Sequence, residues 1–267
     1  MSPRTLPTLL RIASASYSRE WTSHRLNRFL HAHLVLSLVS GCLVAFTPSA
    51  AGGSTWWILY AVLYAVSLSA LLIGFSSAQA ETDEFVWLLG QPSGIAPWLA
   101  GKTAALISLV GGSCLFLGLP SWIAGTPDGN LPIALAGAAA VTVVCALLGL
   151  TIGFWIRDGV RGLIASIAAW LLLLFGTDLL LLGLAGAPFV HSRPELWVAP
   201  LMLNPLDTFR VTMLFRVEHT AFDSMNAVSL AGWWAGHAAL WMTVLTLGWI
   251  GGTVALSWLG ARRQIDG

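Results

Sequence analysis

Six apolar runs, each close to the length needed to cross a bilayer, leave this chain few folds to choose from. A membrane helix needs about 20 apolar residues, because its backbone N–H and C=O groups must bond within the segment once water is excluded. The runs are His31–Phe46, Trp56–Ala78, Leu99–Ile123, Leu131–Ile156, Leu163–Leu184 and Leu230–Leu259. The first is short and is expected to start nearer Leu26; the last is long and is expected to tilt or break near Gly251-Gly252. Composition agrees, since 57% of the 267 residues are hydrophobic and 9% are charged, against about 25% charged in soluble domains. The expected fold is an all-α integral membrane protein with six transmembrane helices, forming a single transmembrane domain over residues 1–267.

The loops set the orientation. With six spans, ten basic residues fall on one side: Arg4, Arg11, Arg19, Arg25, Arg28, Lys102, Arg157, Arg161, Arg262 and Arg263. Arg193, Arg210 and Arg216 fall on the other. The excess of Lys and Arg marks the cytoplasmic side, so both termini are expected there. Residues 185–229 then form the long external loop. The formal net charge of +1 and the absence of a basic stripe exclude a nucleic-acid partner. Cys42, Cys114 and Cys145 lie inside apolar runs and read as buried thiols with no disulfide framework. No cleavable signal peptide is expected, because the first apolar run follows a polar, arginine-rich segment of about 30 residues.

Upstream of the first span, Leu9, Leu10, Ile12, Ala13, Tyr17 and Trp21 mix with Arg11, Arg19 and Glu20. This pattern predicts an amphipathic elbow helix on the inner leaflet, within residues 1–30. Between the second and third spans, over residues 80–98, stands an unusual stretch. Glu81, Asp83 and Glu84 run into Phe85, Trp87, Leu88 and Leu89, with Pro92 beyond. Exposed apolar runs mark a membrane surface or a protein partner. The acids argue against an anionic leaflet as sole target. Two readings stand: a short helix docking onto a cytoplasmic protein, or an amphipathic turn lying on lipid. Gly101-Lys102-Thr103 carries only the end of a phosphate-loop motif; position 96, where its first glycine belongs, is Ala96. Lys102 therefore reads as a helix-start or snorkelling lysine.

On the external side, Asn204 suits an N-cap and Pro205 the first helical position. Asp207 falls in the first turn, where its charge complements the helix dipole, and Arg210 is spaced to pair with it. Leu206, Phe209 and Met213 form an apolar stripe. A short amphipathic helix follows, either a gate or partner contact or a capped surface helix resting on the span ends. Asp178 is an ionisable group within the fifth span, where such groups are costly; it reads either as a pathway or dimer-interface carboxylate or as a structural hydrogen-bonding group. His24, His31, His33, His191 and His219, with Met202, Met213 and Met225, have the softness for copper(I) but no tight ligand spacing, so no metal site is assigned. The tryptophans at the span ends, Trp56, Trp57, Trp98, Trp122, Trp233 and Trp234, fit an interfacial belt.

Two sets of landmarks carry a resemblance. The acidic cluster, Leu88-Leu89, Pro92 and Gly101-Lys102 resemble the coupling-helix region of type-2 ABC exporter permeases. The chain departs from that pattern at Asp83-Glu84, where the family has Gly-Thr. Glu20 with Asn27-Arg28, Trp170 with Asp178, and Asn204-Pro205-Leu206-Asp207-Thr208-Phe209-Arg210 resemble the permease of the ABC transporter that matures the copper sites of nitrous-oxide reductase. The resemblance implies a permease subunit and no enzyme: two copies form the membrane core. A separate cytoplasmic ATPase binds ATP and Mg and docks on the coupling helices, and a periplasmic β-helical accessory protein binds the outer face. The chain itself would hold no cofactor and no catalytic residue. The implied location is a bacterial inner membrane, and the implied function is outward passage of a sulfur species, or copper hand-over, for the copper–sulfide site. A type-2 exporter of another cargo (lipid, drug or haem) is the alternative. A membrane-embedded enzyme is a third reading, for which no His-Glu-x-x-His or serine-protease element is present.

Overall fold

The computed structural model describes residues 6–46, 53–81, 95–125, 129–184, 195–217 and 230–266. Among these every regular element is helical. The helices are α1 (Leu6–His24), α2 (Arg28–Phe46), α3 (Gly53–Ala61), α4 (Ser67–Gln79), α5 (Ile95–Ser113), α6 (Leu115–Ile123), α7 (Leu131–Trp155), α8 (Gly159–Leu171), α9 (Thr177–Leu184), α10 (Glu195–Leu203), α11 (Pro205–Val217) and α12 (Leu230–Asp266). Six helical segments are long and apolar enough to span: Arg28–Phe46, Thr55–Gln79, Ile95–Ile123, Leu131–Trp155, Gly159–Leu184 and Gly232–Gln264. They match the six sequence runs, and the first begins at Arg28, earlier than its apolar stretch, as expected. The chain is an all-α integral membrane protein.

The fourth span, α7, is the axis of the bundle and the most buried of the six. It lies against α4 so closely that a Cβ added at Gly149 would stand 1.9 Å from the Leu71 carbonyl oxygen. A Cβ at Gly74 would stand 1.7 Å from that of Ala146. The two glycines are thus reciprocal: each lets the partner backbone in. With no hydrophobic force between helices in lipid, such contact supplies van der Waals energy that a larger side chain would prevent. Gln79 secures one end of the pair, donating from Nε2 to the Ile156 carbonyl at 2.9 Å. Thr151 joins α7 to α12 through the Ser257 hydroxyl at 2.9 Å.

Two spans contain a π-helical turn, Val62–Val66 in the second and Leu172–Gly176 in the fifth. Single wide turns of this kind loosen the backbone ladder and recur at functional sites. Here side chains supply extra donors to carbonyls in each turn. Ser67 Oγ donates to the Leu63 carbonyl at 2.8 Å, and Asn204 Nδ2 to that of Leu173 at 2.5 Å. Trp170 Nε1 then donates to Ser67 Oγ at 2.9 Å and links the two spans.

The last helix does not break where the sequence suggested. It runs through Gly251-Gly252 and instead leaves helical geometry at His237 (φ −123°, ψ 20°). The His237 ring bonds the Trp233 carbonyl at 2.9 Å and stacks on Trp233 at 5.1 Å. A carbonyl one turn back is thereby bonded by a side chain, a recognised cause of kinks. The third span is interrupted by a turn at Cys114. Cys114 and Cys145 are buried, Cys42 half-buried, and all three thiols are free. The belt holds for Trp57, Trp122 and Trp233, which are exposed, but not for Trp98 and Trp234, which are core residues.

Candidate functional site

Polar residues gather at both ends of this bundle. The inner cluster begins with how α1 seats. A Cβ at Gly101 would stand 2.2 Å from the Ala13 carbonyl oxygen, so only glycine admits the elbow helix at that height. Ser16 Oγ donates to the Trp98 carbonyl at 2.9 Å, and Tyr17 shares a hydrogen bond with Ser108 at 3.0 Å. This brings Glu20 over Lys102. The lysine is 1% exposed and donates to both Glu20 oxygens, at 2.8 and 2.9 Å, and to the Ser77 carbonyl at 3.1 Å. Lys102 is thus neither a snorkelling nor a free helix-start lysine. A buried ammonium has to be paired, and here the pairing partner comes from 82 residues away. The Gly-Lys pair acts as a unit: the glycine makes room for the helix that carries the lysine's counter-ion.

Around Glu20 the remaining valences are filled. Ser77 Oγ donates to it, and His24 Nε2 lies at 3.0 Å. Asn27 Nδ2 approaches His24 Nδ1 at 3.2 Å while its Oδ1 accepts from the Phe29 amide. The amide can only donate to Nδ1, so the ring proton sits on Nε2, facing Glu20. Glu81, the last described residue before the loop, completes the cluster. Its carboxylate meets Arg19 at 2.5 Å and Lys102 at 3.2 Å and is 5% exposed. The two carboxyls differ. Burial pushes Glu20 up, but His24, Lys102 and Ser77 together bring it down to about 2. Burial pushes Glu81 up, and Lys102 and Arg19 do not overcome it, with the Glu20 charge adding to the rise. Glu20 holds the shared ammonium, and Glu81 is the weaker claimant.

The outer cluster is built on α11. Asn204 Oδ1 accepts from the Leu206 amide at 3.0 Å, the N-cap expected from sequence, and Pro205 opens the helix. Asn204 Nδ2 has three acceptors: the Leu173 carbonyl, Thr177 Oγ1 at 3.1 Å and Asp207 Oδ2 at 2.7 Å. Arg210 forks across Asp178 at 2.7 and 2.8 Å and reaches Asp207 at 2.9 Å. The fork is the planar two-point match that arginine makes with a carboxylate. It ties α11 to the fifth span just past that span's π turn. Asp207 is buried, and burial lifts its carboxyl to about 6 despite the Arg210 charge.

The helix is not the surface helix of the sequence reading. Leu206, Thr208, Phe209, Thr212 and Met213 are all 0–1% exposed. Phe209 presses on α7 where a Cβ at Gly137 would stand 2.7 Å from its ring. Trp241 and Trp249 of α12 donate to the Met202 and Leu203 carbonyls at 2.8 and 3.1 Å. α11 is a buried plug at the end of the bundle opposite the Glu20 cluster.

Of the residues singled out in sequence, the structure gathers Asp178, Asn204, Pro205, Asp207, Phe209 and Arg210 in one place. Glu81 belongs to the other cluster. Asp83, Glu84, Phe85, Trp87, Leu88, Leu89 and Pro92 lie outside the described residues, as do His191, His219 and Met225. Among the described residues no group of three or more His, Cys, Asp or Glu gathers as a metal site. Sequence reasoning missed Lys102 as a cluster member. A signal existed, because a lone lysine amid apolar residues must find a carboxylate. Its partner could not be found by local spacing.

No family model matches the chain. Over 263 residues it is 26% identical to the probable ABC transporter permease protein NosY of Stutzerimonas stutzeri, spanning 90% of this chain and 94% of that one. With six apolar helices, α7 at their centre, the chain is similar over most of its length to an ABC transporter permease.

Proposed function

We propose that this chain is the membrane core of an ABC exporter that receives its power stroke at the Glu81 end and opens at the Arg210 end. One observation carries the reading: the residue that leads into the 82–94 segment is held inside the protein by two cations. Glu81 meets Arg19 of the elbow helix and Lys102 of the third span. A partner ATPase docking on Phe85, Trp87, Leu88 and Leu89 would pull on that carboxylate. Because Glu20 retains the ammonium, Glu81 can move while α1 and α5 stay clamped together. At the far end, the Asp178–Arg210–Asp207 bridge sets the distance between the fifth span and the α11 plug, and its release would free an exit. Two copies of the chain, a cytoplasmic ATPase holding ATP and Mg, and a periplasmic β-helical protein make up the proposed assembly. The basic loops support cytoplasmic placement of both termini, and the similarity to the bacterial NosY supports a bacterial inner membrane.

The proposed cargo is a sulfur species, or copper handed on, for assembly of the nitrous-oxide reductase copper–sulfide site. What supports it is the similarity to the probable permease NosY and the Asn204–Arg210 motif, which forms a structural junction. The test is affinity purification of the tagged chain from its native membranes in mild detergent, with mass spectrometry of its companions. An ABC ATPase with a periplasmic β-helical protein is the expected result. An ATPase alone favours an exporter of other cargo. Absence of any ATPase, where a known ABC complex survives the same detergent, defeats the proposal. Trp87→Asp with Leu88→Asp should abolish the ATPase's recovery and leave membrane insertion intact.

A further inference from the structure

A second charged recess lies at the ends of α7 and α12 that carry Arg157 and Arg263. It is a cleft of about 400 Å³ lined by Phe154, Trp155, Arg157, Gly260, Arg263 and Gln264. Gly260 shapes its floor, since a Cβ there would stand 2.8 Å from the Trp155 ring. Gln264 is fixed, with its Nε2 on the Phe154 carbonyl at 2.5 Å and its own carbonyl accepting from Arg157 at 2.9 Å. The arginines are held by rings and by backbone. Arg263 lies over Trp155 at 5.6 Å and Arg262 over Trp258 at 4.6 Å. Such contacts orient a guanidinium without neutralising it.

Negative counter-charge is what the cleft lacks. Asp158 is paired with Arg161 at 4.0 Å, and among the described residues no carboxylate meets Arg157, Arg262 or Arg263. The sequence adds Asp266 at the end of α12, which still leaves the four arginines of these two segments with a net excess of cations over Asp158 and Asp266. The cleft sits where two spans end, at Trp155 and Gln264, so it lies at headgroup depth. Leu256 and Leu259, on the α12 surface near it, are 46% and 47% exposed. A polar, cationic recess thus stands at the head of an open apolar stripe.

We propose that this cleft binds the phosphate of an anionic phospholipid, with Arg157 and Arg263 on the headgroup and the Leu256–Leu259 face of α12 along the acyl chains. Basic pockets between helix ends on the cytoplasmic side have the chemistry for such headgroups. Free phosphate would satisfy the arginines equally but has no use for the apolar stripe.

The experiment is native mass spectrometry of the delipidated, detergent-solubilised full chain titrated with phosphatidylglycerol or phosphatidylcholine. The unmodified protein should retain phosphatidylglycerol about 30-fold more strongly, the worth of two arginines at a membrane surface. Arg157→Gln with Arg263→Gln should bring the two lipids level, and Arg157→Lys with Arg263→Lys should keep most of the preference. Equal retention of both lipids by the unmodified chain overturns the proposal, and needs no variant to fold. A preference that survives the glutamine pair also overturns it. Displacement of phosphatidylglycerol by millimolar inorganic phosphate reassigns the cleft to a free anion. Loss of ATPase recovery in the glutamine variant, with lipid retention unchanged, reassigns it to a protein contact.

Discussion

Lys102 shows how one residue can join three parts of the chain. Its ammonium is shared by Glu20 of the elbow helix and Glu81 at the loop, with the Ser77 carbonyl of the second span as a third acceptor. Lys102→Met would leave two buried carboxylates facing each other. The expected cost is about 3–5 kcal/mol, the typical penalty for breaking a buried pair from one side. It is read as a lower midpoint of thermal unfolding in detergent. Lys102→Arg should lose less, because a cation remains. At the outer end, Asp207 gives a pH signature. Its folded value of about 6 lies above its ordinary 3.8, so between these values the folded state holds a proton the unfolded chain has released. The stability this contributes is complete below about pH 4 and is lost as pH rises through about 6. The protection factors of amides across Pro205–Val217, exchange rates divided into the intrinsic rate at each pH, should therefore fall between pH 4.5 and 7.5, and Asp207→Asn should flatten that fall. Protection factors that do not change with pH in the unmodified protein would contradict the role given to this carboxylate.

At the scale of elements, the six spans and the elbow helix were legible because their signal is local. Composition and run length suffice when backbone satisfaction forces helices in lipid. The cap at Asn204 was legible for the same reason, since a capping residue acts on its own next turn. What escaped was set by partners distant in sequence. The burial of α11 depends on α7 and α12 closing over it, and the π turns at Val62–Val66 and Leu172–Gly176 leave no mark in hydropathy. The glycines at 251–252 looked like a hinge, yet nothing lies within 4 Å of a Cβ built on either, and the kink formed at His237. Two substitutions test the element contacts. Asn204→Ala removes the cap and the donor to the Leu173 carbonyl, and should cost about 1–3 kcal/mol. Gly149→Leu cannot be accommodated against the Leu71 carbonyl and should separate α7 from α4, read as loss of folded protein in detergent. A Gly149→Leu variant with unchanged yield and melting would contradict the tight pairing described for these spans.

For the whole molecule, the two clusters define opposite ends of one device. The inner end gathers the elbow helix, the second and third spans and the entry to the 82–94 segment; the outer end gathers the fifth span and the α11 plug. The closely packed α4–α7 pair runs from the inner cluster, which Ser77 of α4 joins, toward the plug, where Phe209 meets Gly137 of α7. A pull on the loop is proposed to move the elbow helix and third span as a body against that pair, and the displacement to be felt at the plug. The most direct measurement is ATP hydrolysis by the purified complex of this chain with its ATPase in lipid nanodiscs, comparing Arg19→Glu and Arg19→Lys with the unmodified chain. Arg19 is 43% exposed, so charge reversal there should spare the fold while repelling Glu81. The coupling proposal predicts full recovery of the ATPase with Arg19→Glu, a fall of about tenfold in permease-stimulated hydrolysis, and near-normal stimulation with Arg19→Lys. Undiminished stimulation with Arg19→Glu would contradict the proposal that Glu81 carries motion from the loop into the membrane.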